Sequence, residues 1–273
     1  MVRSIPHPTL GTVCLGRRHS TGTPPARFAD FIPKKLPGVP LVLDLTPKAM
    51  PALDLIYLND TLGDCVPAGN QHLAGVWTGN ASGAPTMFTD AQTDANYTGM
   101  SGGEFNPSDP STDQGCEPLV AIEWWRTNGL LPDGSHKIAG YLSLDPNNRV
   151  QLRSAIWLFG GGVGFALDLP DPYINPAPAA SGFTWDVAGE PDPENGHWIV
   201  SAGYNAKGVT IATWGMLGTF TYEAIGDYCP LSAGGELYAM ISQDALNAAM
   251  AKAPNGLDWA QMKTYFDGAG GNA

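Results

Sequence analysis

The order of the hydrophobic periods along the chain constrains its fold more than any other feature: helical spacing comes first and strand-like runs come later. Cys65, Ala68, Leu73, Val76 and Trp77 fall mostly at three- to five-residue intervals, and Gly79-Asn80 is expected to stop the run. Pro67 is tolerated only in a first helical turn, which independently sets the helix start at about Cys65, with Asp64 or Gly63 as its cap. Further helices are expected over 118–126, closed by Asn128-Gly129, and over 148–158, with Val150, Leu152, Ile156 and Trp157 on the apolar side. Strands are expected at 162–167, at 197–204 and 209–214 around the turn-like Asn205-Ala206-Lys207-Gly208, and at 237–241. Short helices over 243–252 and 258–266 follow. Residues 81–116, rich in Gly, Ser, Pro, Asn and Asp, read as one long loop. This order describes an α+β protein rather than a doubly wound sheet.

Residues 1–50 are interrupted by Pro6, Pro8, Pro24, Pro25, Pro33, Pro37 and Pro40, and only 41–45 resembles a strand. They are expected to form an irregular extension packed on the fold, with a cleft-blocking segment as the sharper alternative. The rest divides into a helical lobe over 51–135 and a β-rich lobe over 136–273. A chain of 273 residues, 43% hydrophobic, suffices for one large domain or two lobes sharing a cleft.

The formal charge is −12, from 14 basic and 26 acidic residues, a field that repels phosphate backbones and anionic bilayers. Neither nucleic acid nor membrane is an expected partner. No run reaches the roughly 18 apolar residues of a membrane helix. The first residues lack the apolar stretch of a secretory signal, which favours a cytoplasmic or virion-associated setting over classical secretion. Cys14, Cys65, Cys116 and Cys229 lie far apart with no paired spacing, so no metal site is expected, and a disulfide among the three other than Cys65 stays open.

Cys65 stands where a thiol can be activated. An ordinary thiol, with a pKa near 8.5, is mostly protonated at neutral pH, whereas unpaired N–H groups and the positive dipole end of a first helical turn favour the thiolate. His197 opens the apolar run Trp198-Ile199-Val200 and lies 132 residues after Cys65. That interval falls within the roughly 130–150 residues separating cysteine and histidine in one group of thiol peptidases. An imidazole opposite the thiol completes the pair and carries a proton to a leaving amine.

In order over about residues 55–220, these landmarks resemble the papain-like cysteine peptidases. Asn59-Asp60-Thr61-Leu62-Gly63-Asp64-Cys65-Val66-Pro67-Ala68 is similar to the start of that family's nucleophile helix, and Gly115-Cys116-Glu117-Pro118 to its substrate-pairing edge. Gly196-His197-Trp198 resembles its histidine strand, and Ala212-Thr213-Trp214-Gly215 the strand end that normally carries the third catalytic residue. The resemblance implies a helical lobe, an antiparallel sheet or barrel lobe and a cleft between them. It implies Cys65 as nucleophile, His197 as base, and Asn59 as oxyanion donor with the Cys65 N–H. Trp214 shields the histidine, and no cofactor is needed.

Two departures matter. Ala212 stands where the family has its orienting asparagine, leaving Thr213, a backbone carbonyl or a residue from elsewhere to hold the ring. Asp64 beside the thiol would oppose thiolate formation if its carboxylate pointed inward. The motif as a whole looks like a divergent bacterial or phage-type branch. The expected function is hydrolysis of a peptide or isopeptide bond in a peptide or protein substrate. The alternatives are acyl transfer, and a weak or inactive scaffold that serves a structural or protein-assembly partner. His72, one helical face from Cys65, reads as core, and the alternating Asp109, Ser111 and Asp113 as a chance likeness to a calcium loop.

Overall fold

A helix does begin at Cys65 and carries much of the architecture, but it continues past Gly79-Asn80 to Ser82. Gly79 lets it pass hard against the Lys48 backbone, and the Asn80 amide donates to the carbonyls of Leu45 and Val76, so both residues serve the helix. Gly83, in the left-handed region at φ +81°, ends it. The computed structural model describes residues 2–31 and 38–246. In chain order its elements are β1 (Arg3–His7), β2 (Gly11–Leu15), β3 (Leu43–Asp44), α1 (Met50–Leu53), α2 (Cys65–Ser82) and α3 (Asp90–Met100). Then come α4 (Pro118–Asn128), β4 (Ile138–Ser143), α5 (Arg149–Leu158), β5 (Val163–Asp168), α6 (Asp171–Ile174) and β6 (Phe183–Trp185). Last are β7 (Gly196–Tyr204), β8 (Gly208–Thr213), β9 (Met216–Thr221), α7 (Tyr222–Tyr228) and β10 (Glu236–Ser242).

The fold is α+β, with a large sheet in the order β4-β10-β5-β7-β8-β9-β6 and β3 added beside β7. All pairings are antiparallel except β6 with β9. No pairing joins its ends into a barrel among the described residues. Every residue of β7 is buried, because α2 covers one face and α5 packs on the other. One apolar cluster gathers around α2, α4 and Trp198, and a second around α5, α7 and Phe165. Trp198 fixes the distance between helix and sheet: a side chain at Gly69 on α2 or at Gly164 on β5 would overlap its indole. Among the described residues, no helix is long and apolar enough to cross a membrane.

The loop expected over 81–116 contains α3. Its start is a capping box in which the Thr89 hydroxyl accepts from Gln92 N–H and the Gln92 side chain accepts from Thr89 N–H. Thr93, Asn96, Tyr97 and Met100 give it a buried face too polar to register as a hydrophobic period. The N-terminal stretch is also more regular than its prolines imply. β1 and β2 form a hairpin in which Ile5, His7, Val13 and Leu15 are buried, and Pro6 sits opposite Thr12 in a two-stranded ribbon. The expected helix at 243–252 is helical through 246, and the rest of it and 258–266 lie outside the described residues.

Candidate functional site

Cys65 is the first residue of α2, following Asp64, whose side chain makes no capping bond. The preceding loop is tied down by Asp113, which accepts the Gly63 N–H at 3.0 Å and also the Tyr97 hydroxyl. Asp113 and its neighbours are therefore loop supports. Asp109 is likewise engaged with the N–H and hydroxyl of Ser111. No group of three acidic, histidine or cysteine residues is set to hold a metal among the described residues.

His197 lies on β7 and is fully buried. Its Nε2 is 2.7 Å from the Thr213 hydroxyl, and its ring stacks on Trp214 with centroids 4.6 Å apart. The strand pairing explains this. Ala212 pairs with Val200 and presents only a methyl group, whereas the next residue, Thr213, reaches the ring and orients it. Nδ1 has no partner, so thiol and imidazole are not hydrogen-bonded to each other. The Cys65 sulfur instead faces the N–H groups of Trp198, the neighbour of His197, and of Gly16.

Gly16 belongs to the N-terminal stretch, for which the sequence offers an extension packed on the fold or a cleft-blocking segment. After β2 the chain runs between the Asn59 loop and Cys116 on one side and Gly196 of β7 on the other. Cys14 N–H donates to Asn59 O at 2.8 Å, Cys116 N–H to Gly16 O at 2.9 Å, Arg17 N–H to Gly196 O at 3.1 Å and Arg18 N–H to Cys116 O at 3.0 Å. Contact is closest at glycines: a side chain at Gly16 would overlap the Gly63 carbonyl, and one at Gly196 the Arg17 carbonyl. An open groove of about 310 Å³ remains alongside, lined by residues 15–19, Gln114, Pro193, Glu194 and Gly196.

This cover sets the electrostatics. Burial pushes the Cys65 thiol up to about 12; the Asp64 carboxyl adds to the rise, and the Gly16 and Trp198 N–H groups and Arg17 oppose it without prevailing. Burial alone drives the His197 imidazole down to about 3. Asp64 points inward and is wholly buried. Its carboxyl lies well above the usual range from burial and the nearby acidic groups, with the Asn59 side chain as partial relief although neither oxygen completes a normal hydrogen bond. In this closed arrangement the thiol and the imidazole are neutral at physiological pH. The Asn59 amide donates to Leu62 O at 3.0 Å, within its own loop. His72, away from the cleft, bonds Leu55 O at 2.8 Å, and burial holds it down at about 4. All four cysteines are free and buried.

Beside this neutral group lies a charged one that sequence reasoning missed. The inaccessible Arg17 guanidinium bonds Asp168 at 3.0 Å and Glu236 at 2.5 Å. His19 bonds Asp168 at 2.9 Å, and the Tyr238 hydroxyl bonds Glu236 at 2.7 Å. Burial pushes the Glu236 carboxyl up, yet Arg17, Ser20 and Tyr238 together outweigh it and leave it below its ordinary value. The only signal in the sequence was the isolated basic pair Arg17-Arg18 in an acidic chain.

No protein-family model matches the sequence, and no curated protein does. Solved structures do match. Xylellain, a cysteine protease from Xylella fastidiosa, aligns with a TM-score of 0.58 and 13% identity over 88% of this chain and 97% of its own. Digestive procathepsin L2 from the Tenebrio molitor larval midgut gives 0.55 and 13% over 82% and 75%, and procathepsin B from Trypanosoma congolense 0.52 and 13% over 84% and 86%. The chain has the papain-like cysteine protease fold.

Proposed function

We propose that this chain is a papain-like thiol hydrolase, a peptidase or amidase acting on a peptide or isopeptide bond, held closed by its own residues 14–19. The observation that supports this most is the placement of a first-turn cysteine against a β-strand whose histidine is oriented by Thr213 and shielded by Trp214. With Nε2–H donated to Thr213, Nδ1 keeps its lone pair for the thiol proton. Once the segment lifts, water returns, and the thiol and imidazole can approach their ordinary pKa values.

The Cys65 sulfur attacks the carbonyl carbon while Nδ1 takes the thiol proton, and the carbonyl oxygen becomes an oxyanion. The Cys65 N–H at the helix start is a donor for that oxyanion, joined by the Asn59 amide if its loop frees it from Leu62. Collapse breaks the C–N bond and the amine leaves with the proton from His197. A water, giving its proton to His197, attacks the thioester; the acid departs and the thiol is restored.

The test uses a chain opened by Gly16→Ala, with and without Cys65→Ala. Incubated with an unfolded protein, the opened chain should generate new N-termini, read by mass spectrometry, and carry a peptidyl adduct on Cys65. The alanine variant should do neither. If Cys65 in the opened chain alkylates like a free thiol but cuts nothing, the scaffold reading replaces the hydrolase.

A further inference from the structure

The segment in the cleft shows what the cleft is built to hold. Its backbone bonds to Gly196 and Cys116 use only main-chain groups, so any extended peptide can make them. The selective part is the side chain of Arg17. In the sheet register Asp168 pairs with Gly196 and Glu236 with Ala166, which sets both carboxylates on one face, one residue from His197. They are only 3% and 5% exposed, and the guanidinium is the partner they share; His19 also bonds Asp168, and the Ser20 N–H and Tyr238 hydroxyl also bond Glu236.

We propose that the Asp168–Glu236 pair is a side-chain subsite for arginine in a bound peptide, and that Arg17 occupies it in the closed chain. This rests on the hydrolase reading only in taking the cleft as the place where peptides bind. Two carboxylates held apart suit the forked donors of a guanidinium better than a compact ammonium ion. Tyr238 keeps Glu236 in place from within the sheet, so half of the pocket persists when the segment leaves. The charge of −12 draws cationic peptides toward it. Arg17 thus acts as an internal occupant, and the preferred substrates are arginine-bearing peptides that compete for its place.

Binding is measured with the full chain carrying Cys65→Ala and Arg17→Ala, using a fluorescein-labelled Ala-Leu-Arg-Gly-Ala peptide and the same peptide with citrulline, which keeps the shape and loses the charge. The arginine peptide should bind at least ~10-fold more tightly, and adding Glu236→Gln should reduce the ratio below ~3-fold. With Arg17 in place, neither should bind. Equal affinities, or no binding in a cooperatively folding variant, overturn the subsite. If Arg17→Ala does not fold, Arg17→Met keeps the side-chain stem, leaves the two carboxylates without an internal cation and carries the same comparison. Cleavage by the Arg17→Ala chain with Cys65 intact is scored separately. Selective binding without cleavage sinks the hydrolase and spares the subsite, and cleavage without arginine preference does the reverse.

Discussion

Two polar clusters sit side by side beneath residues 14–19, equally buried and opposite in character. Cys65, His197 and Asp64 have no charge partner, and burial leaves a thiol at about 12, an imidazole at about 3 and a carboxyl well above its ordinary range. Arg17 instead meets Asp168 and Glu236 at 2.5–3.0 Å, and the Glu236 carboxyl lies below its ordinary value despite its burial. Burial sets the cost of a charge, and a partner decides whether the charge survives. The N-terminal segment serves both clusters at once, supplying the cation to one and excluding water from the other.

The largest break comes from the charged side. Asp168→Asn removes one of two partners of a buried guanidinium, a loss of about 3–5 kcal/mol for an isolated pair. About 3 kcal/mol is expected here, since the segment can lift and rehydrate the pocket, and urea unfolding at pH 7.5 measures it. An unchanged midpoint would mean that the Arg17 cluster does not hold the segment. Next is Gly16→Ala, whose Cβ has no room beside the Gly63 carbonyl. Opening should return the thiol from about 12 toward 8.5. The thiolate fraction at pH 7.5 then rises by more than ~10³, and lower intrinsic nucleophilicity trims this to roughly 100-fold faster iodoacetamide labelling. A variant no faster than the unmodified chain would separate the segment from the thiol's inertness.

Histidine supplies the next effect. Both His197 and His72 have folded pKa values, about 3 and about 4, below the ordinary 6.5. The unfolded chain therefore binds protons more readily as pH falls below 6.5, and the stability from burying neutral imidazoles is full above 6.5 and lost on acidification toward 4 and 3. Between pH 7 and 4.5 each should contribute a loss of about 2 kcal/mol. Comparing the unmodified chain with His72→Gln at both pH values isolates one share, and equal pH dependence in the two would mean that His72 is not buried neutral.

Much of this was legible where hydrophobic period and punctuation agree. Pro67 fixed the start of α2 because a proline deeper in the helix would remove a hydrogen bond, and the run after His197 is apolar throughout because β7 is covered on both faces. The helix α3 was not legible because its buried face includes Thr93 and Asn96, although Thr89 and Gln92 spelled its cap. Thr213 was one of several candidates to orient His197, and only the strand register selects it. A cleft-blocking segment was only an alternative for residues 1–50, and which residues lie in the cleft could not be read. Gly16 and Arg17 are local in sequence, whereas the groups that hold them, Gly63, Cys116, Asp168, Gly196 and Glu236, come from the whole length of the chain.

The smallest effect is the sharpest test, because the same chemical change should act with opposite sign in the two clusters. Asp64 is wholly buried with neither oxygen properly bonded, and its folded pKa is raised by burial and nearby acids. A raised pKa means that the folded chain holds the proton more tightly. That stabilisation is present below the ordinary carboxylate pKa and is lost as pH rises toward the folded value. At pH 7.5 the carboxyl is therefore a burden that a neutral amide of the same shape avoids. Asp64→Asn is expected to raise stability by about 1–2 kcal/mol at pH 7.5 and to change it little at pH 3.5. Asp168→Asn, one strand away from the histidine, should lower it. If both substitutions destabilise alike at pH 7.5, Asp64 has a partner in the folded chain and the contrast between the two clusters fails.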